Sequence, residues 1–368
     1  MDNKPTVFIV AAEVSGDQHA ANLVIELRAL NNNIHFEAVG GKSLLDANVS
    51  LYMSFDKLAV MGFWEVLKKA FVLQKLINRI STHIILLNPN AIILVDASGL
   101  NMRLAKKIKN KTSIPIHYYI APKVWAWGEW RVKKMAKLID YLYCILPFEE
   151  AYFRNKNISS VFYVGNPTFA AINKYQFKAI TDLDNNNQGI LALLPGSRKQ
   201  EIAALLPMML KVAKSFTQYR IVLACTESIS PQFYDYFIGK MNITKVYNQT
   251  WDLLKIAEKA IVTSGTATLE CALIGCPQIV CYSTSKISYF LGRRLIKVKY
   301  ISLPNLILDK PVLTELIQDD VSPNRIKKAL KECTKIEAIK IQTDLIKVLS
   351  NHQKGIGESI YINLQANI

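Results

Sequence analysis

The composition of this 368-residue chain is that of a folded protein with a large core. Hydrophobic residues make up 51% and charged residues 20% of the sequence, which excludes a disordered chain and predicts two domains or one large one. The 45 lysines and arginines exceed the 29 acidic residues and give a net charge of +16. This excess fits an anionic partner such as nucleic acid, a phospholipid surface or a phosphorylated substrate, and equally fits compositional drift in a Lys-, Asn- and Ile-rich proteome.

The apolar runs and the cysteines favour a cytoplasmic protein. No run of eighteen apolar residues occurs, and the nearest, 84–95, is interrupted by Asn88-Pro89-Asn90, so we expect no membrane-spanning helix. The start of the chain passes directly into a strand and carries no pattern of a signal peptide. The six cysteines form no CxxC pair and the five histidines are scattered, which predicts reduced thiols and no metal site.

The first half of the chain alternates strands and helices. Predicted strands are 6–11, 35–39, 92–95, 116–120, 141–145 and 161–164. Predicted helices are 101–109, 131–138 and one that follows the turn at 15–17 and runs to about residue 30. Such alternation is typical of a parallel sheet covered by helices on both faces.

The same pattern restarts after a polar linker at 184–188. Strands are predicted at 190–194, 220–224, 260–263 and 278–282, and helices at 201–216, 251–258, 266–274 and from 323 to about 349. The fold class is therefore α/β, with two successive doubly wound domains. We expect ligands beyond the carboxyl ends of the strands, in a cleft between the domains.

Two turns in the second half have the composition of a diphosphate site. Ser264-Gly265-Thr266 joins a strand to a helix, whose first N–H groups and partial positive charge attract anions. Glu270 lies one helical turn further on the same face, where a carboxylate can accept hydrogen bonds from ribose. The turn at Gly196-Ser197-Arg198 adds a guanidinium that can bind a diphosphate in a forked geometry. A structural turn and an exposed loop arginine are the alternatives.

Polar and aromatic residues at strand ends of the first half suggest an acceptor site. Asp96 ends an apolar strand and can act as a general base on a sugar hydroxyl. Segment 12–19 places Glu13, Ser15 and Asp17 after the first strand, and Trp125 lies in an aromatic loop. Helix caps, turns and ordinary packing explain the same residues.

The segment 60–76 is amphipathic and basic. Such a helix can lie on an anionic membrane surface or pack against the sheet. Its apolar residues are Phe63, Trp64, Leu67, Phe71 and Leu76, and its cations, with one just beyond it, are Lys68, Lys69, Lys75 and Arg79.

Eight segments, taken together and in order, resemble the lipid-A-disaccharide synthase family (glycosyltransferase family 19). They are 12–17, 59–67, 95–104, 121–127, 146–149, 194–201, 264–270 and 301–305. The resemblance covers residues from about 6 to about 330. It implies a GT-B fold, in which two Rossmann-like domains face each other across a cleft: an acceptor and membrane-side domain at 1–175, a UDP-sugar domain at 186–340, and a helical segment at 341–368 that returns to the first domain.

The resemblance also implies an inverting reaction and roles for residues. The family moves 2,3-diacylglucosamine from UDP-2,3-diacylglucosamine to the 6-hydroxyl of 2,3-diacylglucosamine 1-phosphate and releases UDP. Asp96 would be the base or position the acceptor, and Arg198 would neutralise the diphosphate. The remaining expected contacts are Gly196, Ser197, Ser264, Gly265 and Thr266 with the phosphates, Glu270 with ribose, Asn305 with the nucleotide, and Glu13, Ser15, Asp17, Met61 and Trp125 with the sugars or acceptor.

The resemblance implies no metal or other cofactor and no nucleic acid. It places the enzyme on the inner face of the inner membrane of a Gram-negative bacterium, and it is compatible with a homodimer. The chain departs from many relatives at Gly99, Lys123 and Asn166, which bears on acceptor contacts. The alternatives are another GT-B enzyme, such as a UDP-sugar epimerase, and a non-catalytic basic protein of the membrane surface.

Overall fold

The computed structural model describes residues 4–54, 66–180, 183, 188–285, 289, 298–352 and 354–368, with the side chains of the helix that begins at Val66 described from Val72. The chain divides into two compact units. The first comprises Met1–Pro167 and His352–Ile368, and the second comprises Thr168–Asn351.

The first unit is built on a seven-stranded parallel sheet. Its order is β3-β2-β1-β4-β5-β6-β7, and the strands are β1 (Thr6–Ala11), β2 (His35–Gly40), β3 (Ser50–Ser54), β4 (Ala91–Val95), β5 (Ile116–Tyr119), β6 (Tyr141–Cys144) and β7 (Val161–Tyr163). The central strand β4 is apolar and completely buried, as expected when helices cover both faces of a sheet. Because all strands run in parallel, their carboxyl ends meet at one edge.

Helices of the first unit connect successive strands, and the last one comes from the end of the chain. They are α1 (Val14–Leu30), α2 (Lys42–Asp46), α3 (Val66–Leu87), α4 (Ser98–Lys109), α5 (Val132–Leu138), α6 (Pro147–Arg154) and α15 (Ile356–Leu364), with a short 3₁₀ turn at Glu129–Arg131. Side chains from α3, α4 and α5 pack with those of the central strands in one buried cluster.

The second unit repeats this architecture with six parallel strands in the order β10-β9-β8-β11-β12-β13. The strands are β8 (Ile190–Leu194), β9 (Arg220–Cys225), β10 (Thr244–Tyr247), β11 (Lys259–Thr263), β12 (Gln278–Tyr282) and β13 (Glu315–Ile317). The helices are α7 (Pro167–Lys174), α8 (Lys199–Ala213), α9 (Pro231–Ile238), α10 (Thr250–Ile256), α11 (Thr266–Ile274), α12 (Leu303–Leu308), α13 (Pro323–Glu332) and α14 (Lys335–Leu349).

The predicted α/β class with two doubly wound sheets is confirmed. The edge strands β3, β10 and β13 and the short helices α2, α6, α7, α9 and α12 were not predicted, because short or partly polar segments carry weak periodicity. In the part of the chain that the structure describes, no helix is both long and apolar enough to cross a bilayer.

The boundaries of the two units differ from the predicted ones. The first unit ends at Pro167 rather than 175, and the second extends to Asn351 rather than 340. Helix α14 belongs to the second unit because its Gln342 Nε2 donates to Leu273 O of α11 at 2.6 Å and the Nζ of Lys335 donates to Gly275 O at 2.7 Å.

Only the end of the predicted 341–368 segment joins the first unit. Helix α15 packs on α1, where Gly357 N donates to Glu26 Oε2 at 2.6 Å and Asn31 Nδ2 donates to the Tyr361 hydroxyl at 3.3 Å. A Cβ at Gly357 would lie 2.4 Å from Glu26 Cβ. The close approach of the two helices therefore requires a glycine at this position.

We predict that Gly357→Ala lowers the free energy of unfolding of the first unit by about 1–3 kcal/mol, because the added methyl pushes α15 away from α1. Urea unfolding followed by tryptophan fluorescence measures this, since four of the five tryptophans lie in the sequence of the first unit. Gly355→Ala is the matched control, because a Cβ there meets nothing within 4 Å. Equal losses in both variants would contradict the packing argument.

Candidate active site

Asp96 lies where β4 ends and the chain turns sharply into α4. Asp96 and Ala97 both have left-handed backbone angles, with φ of 46° and 40°, which is uncommon for residues with a Cβ. Asn101 Nδ2 holds the turn by donating to Val95 O at 3.0 Å and to Asp96 O at 2.9 Å. The Tyr118 hydroxyl also donates to Asp96 O. The turn therefore fixes the backbone of Asp96 at the carboxyl edge of the sheet.

Asp96 and Glu13 share a cavity of about 400 Å³ with apolar side chains. The cavity is lined by Ala12, Glu13, Leu73, Leu76, Asp96, Ala97, Ser98, Gly99 and Leu100. Two carboxylates thus lie beside three leucines in one depression. Such a surface can hold a ligand with both hydroxyl groups and an apolar tail.

His19 is a neighbour of Asp96 that the sequence analysis did not select. Burial lowers the pKa of His19, and the charge of Asp96 opposes that shift. The helical position of His19 on α1 gives no sequence signal for this proximity, which arises because β1 and β4 are adjacent strands.

Asp17 has a structural role in the turn that follows β2. Its carboxylate accepts hydrogen bonds from Gly41 N at 2.6 Å and from Ser43 N at 2.8 Å, and the residue is only 2% exposed. Asp17 thereby caps the neighbouring helix α2 across a gap of 24 residues. The predicted contact of Asp17 with the sugars stays a prediction, and each carboxylate oxygen of Asp17 already accepts one hydrogen bond from a backbone N–H group.

The other expected acceptor residues fall into different surroundings. Ser15 is exposed near the start of α1, and Met61 lies outside the described residues. Trp125 donates its indole N–H to Glu149 Oε1 at 2.9 Å and packs edge-on against the Phe148 ring. Trp125 is therefore positioned by the buried Glu149.

Glu149 is a buried carboxylate with an unusual pKa. Its Oε2 accepts hydrogen bonds from Ile145 N at 3.2 Å and Leu146 N at 3.0 Å, and these bonds hold the turn that begins α6. Burial raises the pKa of Glu149 from 4.5 to about 7, although the hydrogen bonds from Trp125 and the backbone favour the charged form.

In the second unit, Arg198 follows β8 and its guanidinium is well exposed. Gly196 has a φ of 109°, and a Cβ there would lie 2.6 Å from Glu201 Oε2. Glu201 accepts hydrogen bonds from Ser197 N at 3.2 Å and Arg198 N at 3.4 Å, and its Oε1 pairs with Arg198 Nη1 at 2.9 Å. Glu201 accepts the hydrogen bonds of the Ser197 and Arg198 N–H groups. The group of this turn that is available to an anion is therefore the Arg198 side chain, which is 77% exposed.

The turn at Ser264-Gly265-Thr266 lies at the same strand edge of the second unit and begins α11. Gly265 and Thr266 are exposed, and a Cβ on Gly265 would meet nothing within 4 Å, so a ligand can approach this backbone closely. Burial raises the pKa of Glu270 on the same helix, and a hydrogen bond from Trp251 opposes the shift.

Asn305 lies inside the second unit rather than at its surface. It is 1% exposed, its Nδ2 donates to Leu313 O at 2.9 Å and Glu315 Oε1 at 2.8 Å, and its Oδ1 accepts from Leu313 N at 2.8 Å. Both ends of the amide are committed to the protein. The predicted contact of Asn305 with the nucleotide stays a prediction, and the amide is already bonded within the second unit. Among the described residues, no cluster of three or more His, Cys, Asp or Glu side chains is arranged to hold a metal ion.

The fold and the polar strand edges define an α/β protein of the GT-B class. A UDP-GlcNAc 2-epimerase from Neisseria meningitidis bound to UDP-GlcNAc is similar, with a TM-score of 0.68 and 11% identity, covering 99% of this chain and 100% of that one. The calicheamicin glycosyltransferase CalG4 is similar with a TM-score of 0.59 and 13% identity, covering 100% of both chains. At these identities the likeness establishes the fold.

Sequence comparison identifies the family. Residues 7–360 match the family model described as lipid-A-disaccharide synthetase. The lipid-A-disaccharide synthase of Syntrophus aciditrophicus is 37% identical over 337 residues, which cover 88% of this chain and 87% of that protein. The Myxococcus xanthus protein of the same name is 35% identical over 341 residues, covering 89% and 87%. The chain belongs to the lipid-A-disaccharide synthase family and is a glycosyltransferase that uses a UDP-sugar.

We predict that Glu149 makes stability fall as the pH rises. Because its folded pKa of about 7 lies above its ordinary value of 4.5, its contribution is fully present below about pH 4.5 and is lost as the pH rises through about 7. The free energy of unfolding of the wild type, minus that of Glu149→Gln, should fall by up to about 1.4 kcal/mol per pH unit in this window. Urea unfolding from about pH 5 to about pH 8 measures it, and a constant difference would contradict the prediction.

Proposed function

We propose that this chain transfers 2,3-diacylglucosamine from UDP-2,3-diacylglucosamine to the 6-hydroxyl of 2,3-diacylglucosamine 1-phosphate. The products are lipid A disaccharide 1-phosphate and UDP. Family membership supports this reaction. The structural observation that carries it is the cavity of the first unit, where the carboxylates of Asp96 and Glu13 adjoin Leu73, Leu76 and Leu100. An acylated sugar needs polar groups that bind its hydroxyls and an apolar surface that contacts its acyl chains.

Asp96 is the proposed base that takes the proton from the acceptor hydroxyl. In the described part of the chain, Tyr118, Tyr119 and Asn101 form hydrogen bonds with the backbone of Asp96. These bonds hold the turn, and Asp96 is one of the residues that line the cavity. One base suffices for an inverting displacement, since the hydroxyl attacks the anomeric carbon directly and no covalent enzyme intermediate forms.

Arg198 and the N-terminus of α11 are the proposed diphosphate partners. An arginine neutralises charge that develops on the leaving phosphate, and the first N–H groups of a helix add hydrogen bonds. The Arg198 guanidinium then leaves its ion pair with Glu201 and binds the diphosphate, because the Arg198 side chain is exposed. With these cations and dipoles in place, the proposed reaction requires no metal ion.

The first test is UDP release from the two lipid substrates in detergent micelles, with EDTA present. We expect stoichiometric UDP and disaccharide 1-phosphate under these conditions. UDP release that appears only on adding a divalent cation would contradict metal independence. Conversion of UDP-GlcNAc alone into its epimer would favour the epimerase alternative.

Two variants test the assigned roles. Asp96→Asn should lower turnover by about 10²–10⁴-fold, the usual contribution of a general base, and Arg198→Ala by about 10²-fold. Lys199→Ala is the matched control for charge, because Lys199 follows Arg198 but lies over the Phe233 ring. Near-normal turnover of Asp96→Asn or Arg198→Ala, with unfolding unchanged, rules out the corresponding role.

We further propose that the enzyme binds the inner face of the inner membrane through α3. Its substrates carry acyl chains, and α3 presents the exposed cation Lys75 one helical turn from Arg79, which is also exposed. Lys68 and Lys69 precede them in the same helix, although their side chains are outside those described. Cations near an anionic bilayer each contribute about 1 kcal/mol.

Binding to vesicles of phosphatidylethanolamine and phosphatidylglycerol tests this surface. Replacing Lys68, Lys69 and Lys75 by glutamine should weaken partitioning about 100-fold at low salt, and high salt should weaken the wild type in the same way. The matched control replaces the exposed Lys328, Lys331 and Lys340 of the second unit. Equal losses for both triple variants, or salt-independent binding, would contradict a specific basic face on α3.

A further inference from the structure

Glu315, the first residue of β13, binds four donors from one short segment of the second unit. Its Oε2 accepts from Ile301 N at 3.0 Å. Its Oε1 accepts from Ser302 N at 2.9 Å, from the Ser302 hydroxyl at 2.6 Å and from Asn305 Nδ2 at 2.8 Å. A carboxylate suits four donors because it offers only acceptor sites.

The two polar side chains that Glu315 holds are withdrawn from solvent. Ser302 is 0% and Asn305 1% exposed, and Asn305 also closes the following loop through its two bonds with Leu313. These polar groups therefore depend on Glu315 for partners, since a buried donor left without an acceptor is destabilising.

The same segment touches the proposed phosphate turn. The Ser264 hydroxyl donates to Ile301 O at 2.9 Å, and Ser264 N donates to Cys281 O of the adjacent strand at 3.0 Å. Ile301 is thus bonded through its N–H to Glu315 and through its carbonyl to Ser264. A continuous chain of hydrogen bonds runs from Glu315 to the residue that precedes the N-terminus of α11.

We infer that Glu315 is a positioning residue for the UDP-sugar, acting through Ile301 and Ser264. This inference rests on the proposed function, because it assigns the turn at 264–266 to the donor diphosphate. Glu315 fixes the carbonyl of Ile301, that carbonyl fixes the Ser264 hydroxyl, and the phosphate turn keeps one geometry. Asn305 contributes from inside the same network rather than by touching the nucleotide.

Glu315→Gln is the principal test, because the amide replaces one acceptor oxygen by a donor while the volume is kept. We expect the KM for UDP-2,3-diacylglucosamine to rise about tenfold or more, and the affinity for UDP measured by calorimetry to fall similarly, since each 1.4 kcal/mol is tenfold. The KM for the acceptor should stay within about twofold. Glu332→Gln is the matched control, because Glu332 and Glu315 both line a cavity of about 530 Å³ in the second unit.

A double-mutant cycle with Ser264→Ala separates positioning from general stability. If Glu315 acts through Ser264, Glu315→Gln should raise the donor KM much less in the Ser264→Ala background than in the wild type. Glu315→Asp, which keeps the charge, should recover part of the affinity. If Glu315→Gln does not fold, Ser302→Ala removes one of the four donors and should give a smaller change in the same direction.

Failure of the inference about Glu315 gives a different result from failure of the proposed reaction. A wild type that binds UDP but releases none from the lipid substrates would contradict the reaction and leave the UDP affinity of Glu315→Gln as the test. A normal donor KM and UDP affinity in folded Glu315→Gln would overturn the inference. Equal rises in the donor and acceptor KM, or effects that simply add in the cycle, would also overturn it.

Discussion

Both units depend on internal carboxylates that accept hydrogen bonds from the backbone of their turns. Parallel strands end at one edge, and the turns there leave N–H groups without ladder partners. Four carboxylates each accept hydrogen bonds from two backbone N–H groups. The acceptor and donor residues are Asp17 with Gly41 and Ser43, Glu149 with Ile145 and Leu146, Glu201 with Ser197 and Arg198, and Glu315 with Ile301 and Ser302. Each pair of bonds fixes a turn at or beside a candidate site. The protein thus places carboxyl groups at the strand edges to which the proposed reaction brings phosphorylated substrates.

The excess of lysines and arginines in the chain offsets the charge of these carboxylates. The chain has a net charge of +16, and Arg198 stands exposed next to Glu201. In the proposed reaction, the incoming diphosphate gives the Arg198 guanidinium an alternative anionic partner of higher charge, while Glu201 keeps the two backbone N–H groups. The carboxylate therefore shapes the turn in both states, and the arginine is the part that exchanges partners.

Sequence patterns predicted the strands whose ends carry Asp96, Arg198 and Ser264, because buried parallel strands are continuous apolar runs. They could not predict what Asp17 and Asn305 do. The partner of Asp17 is 24 residues away, and that of Asn305 is a glutamate on an edge strand of three residues. A polar residue after a strand looks the same whether it faces a ligand or caps a neighbouring turn. Only the positions of its partners distinguish the two.

The route of the chain has a consequence for biosynthesis. Helix α15, which packs on α1 through Gly357 and Glu26, is translated after the whole of the second unit. On the ribosome, domains generally fold in order from the N-terminus, but here the first unit lacks one of its outer helices until the final residues emerge. The second unit, contiguous from Thr168 to Asn351, can complete its packing first. Premature termination after residue 351 would therefore damage the first unit, although its sheet is made of the earliest residues.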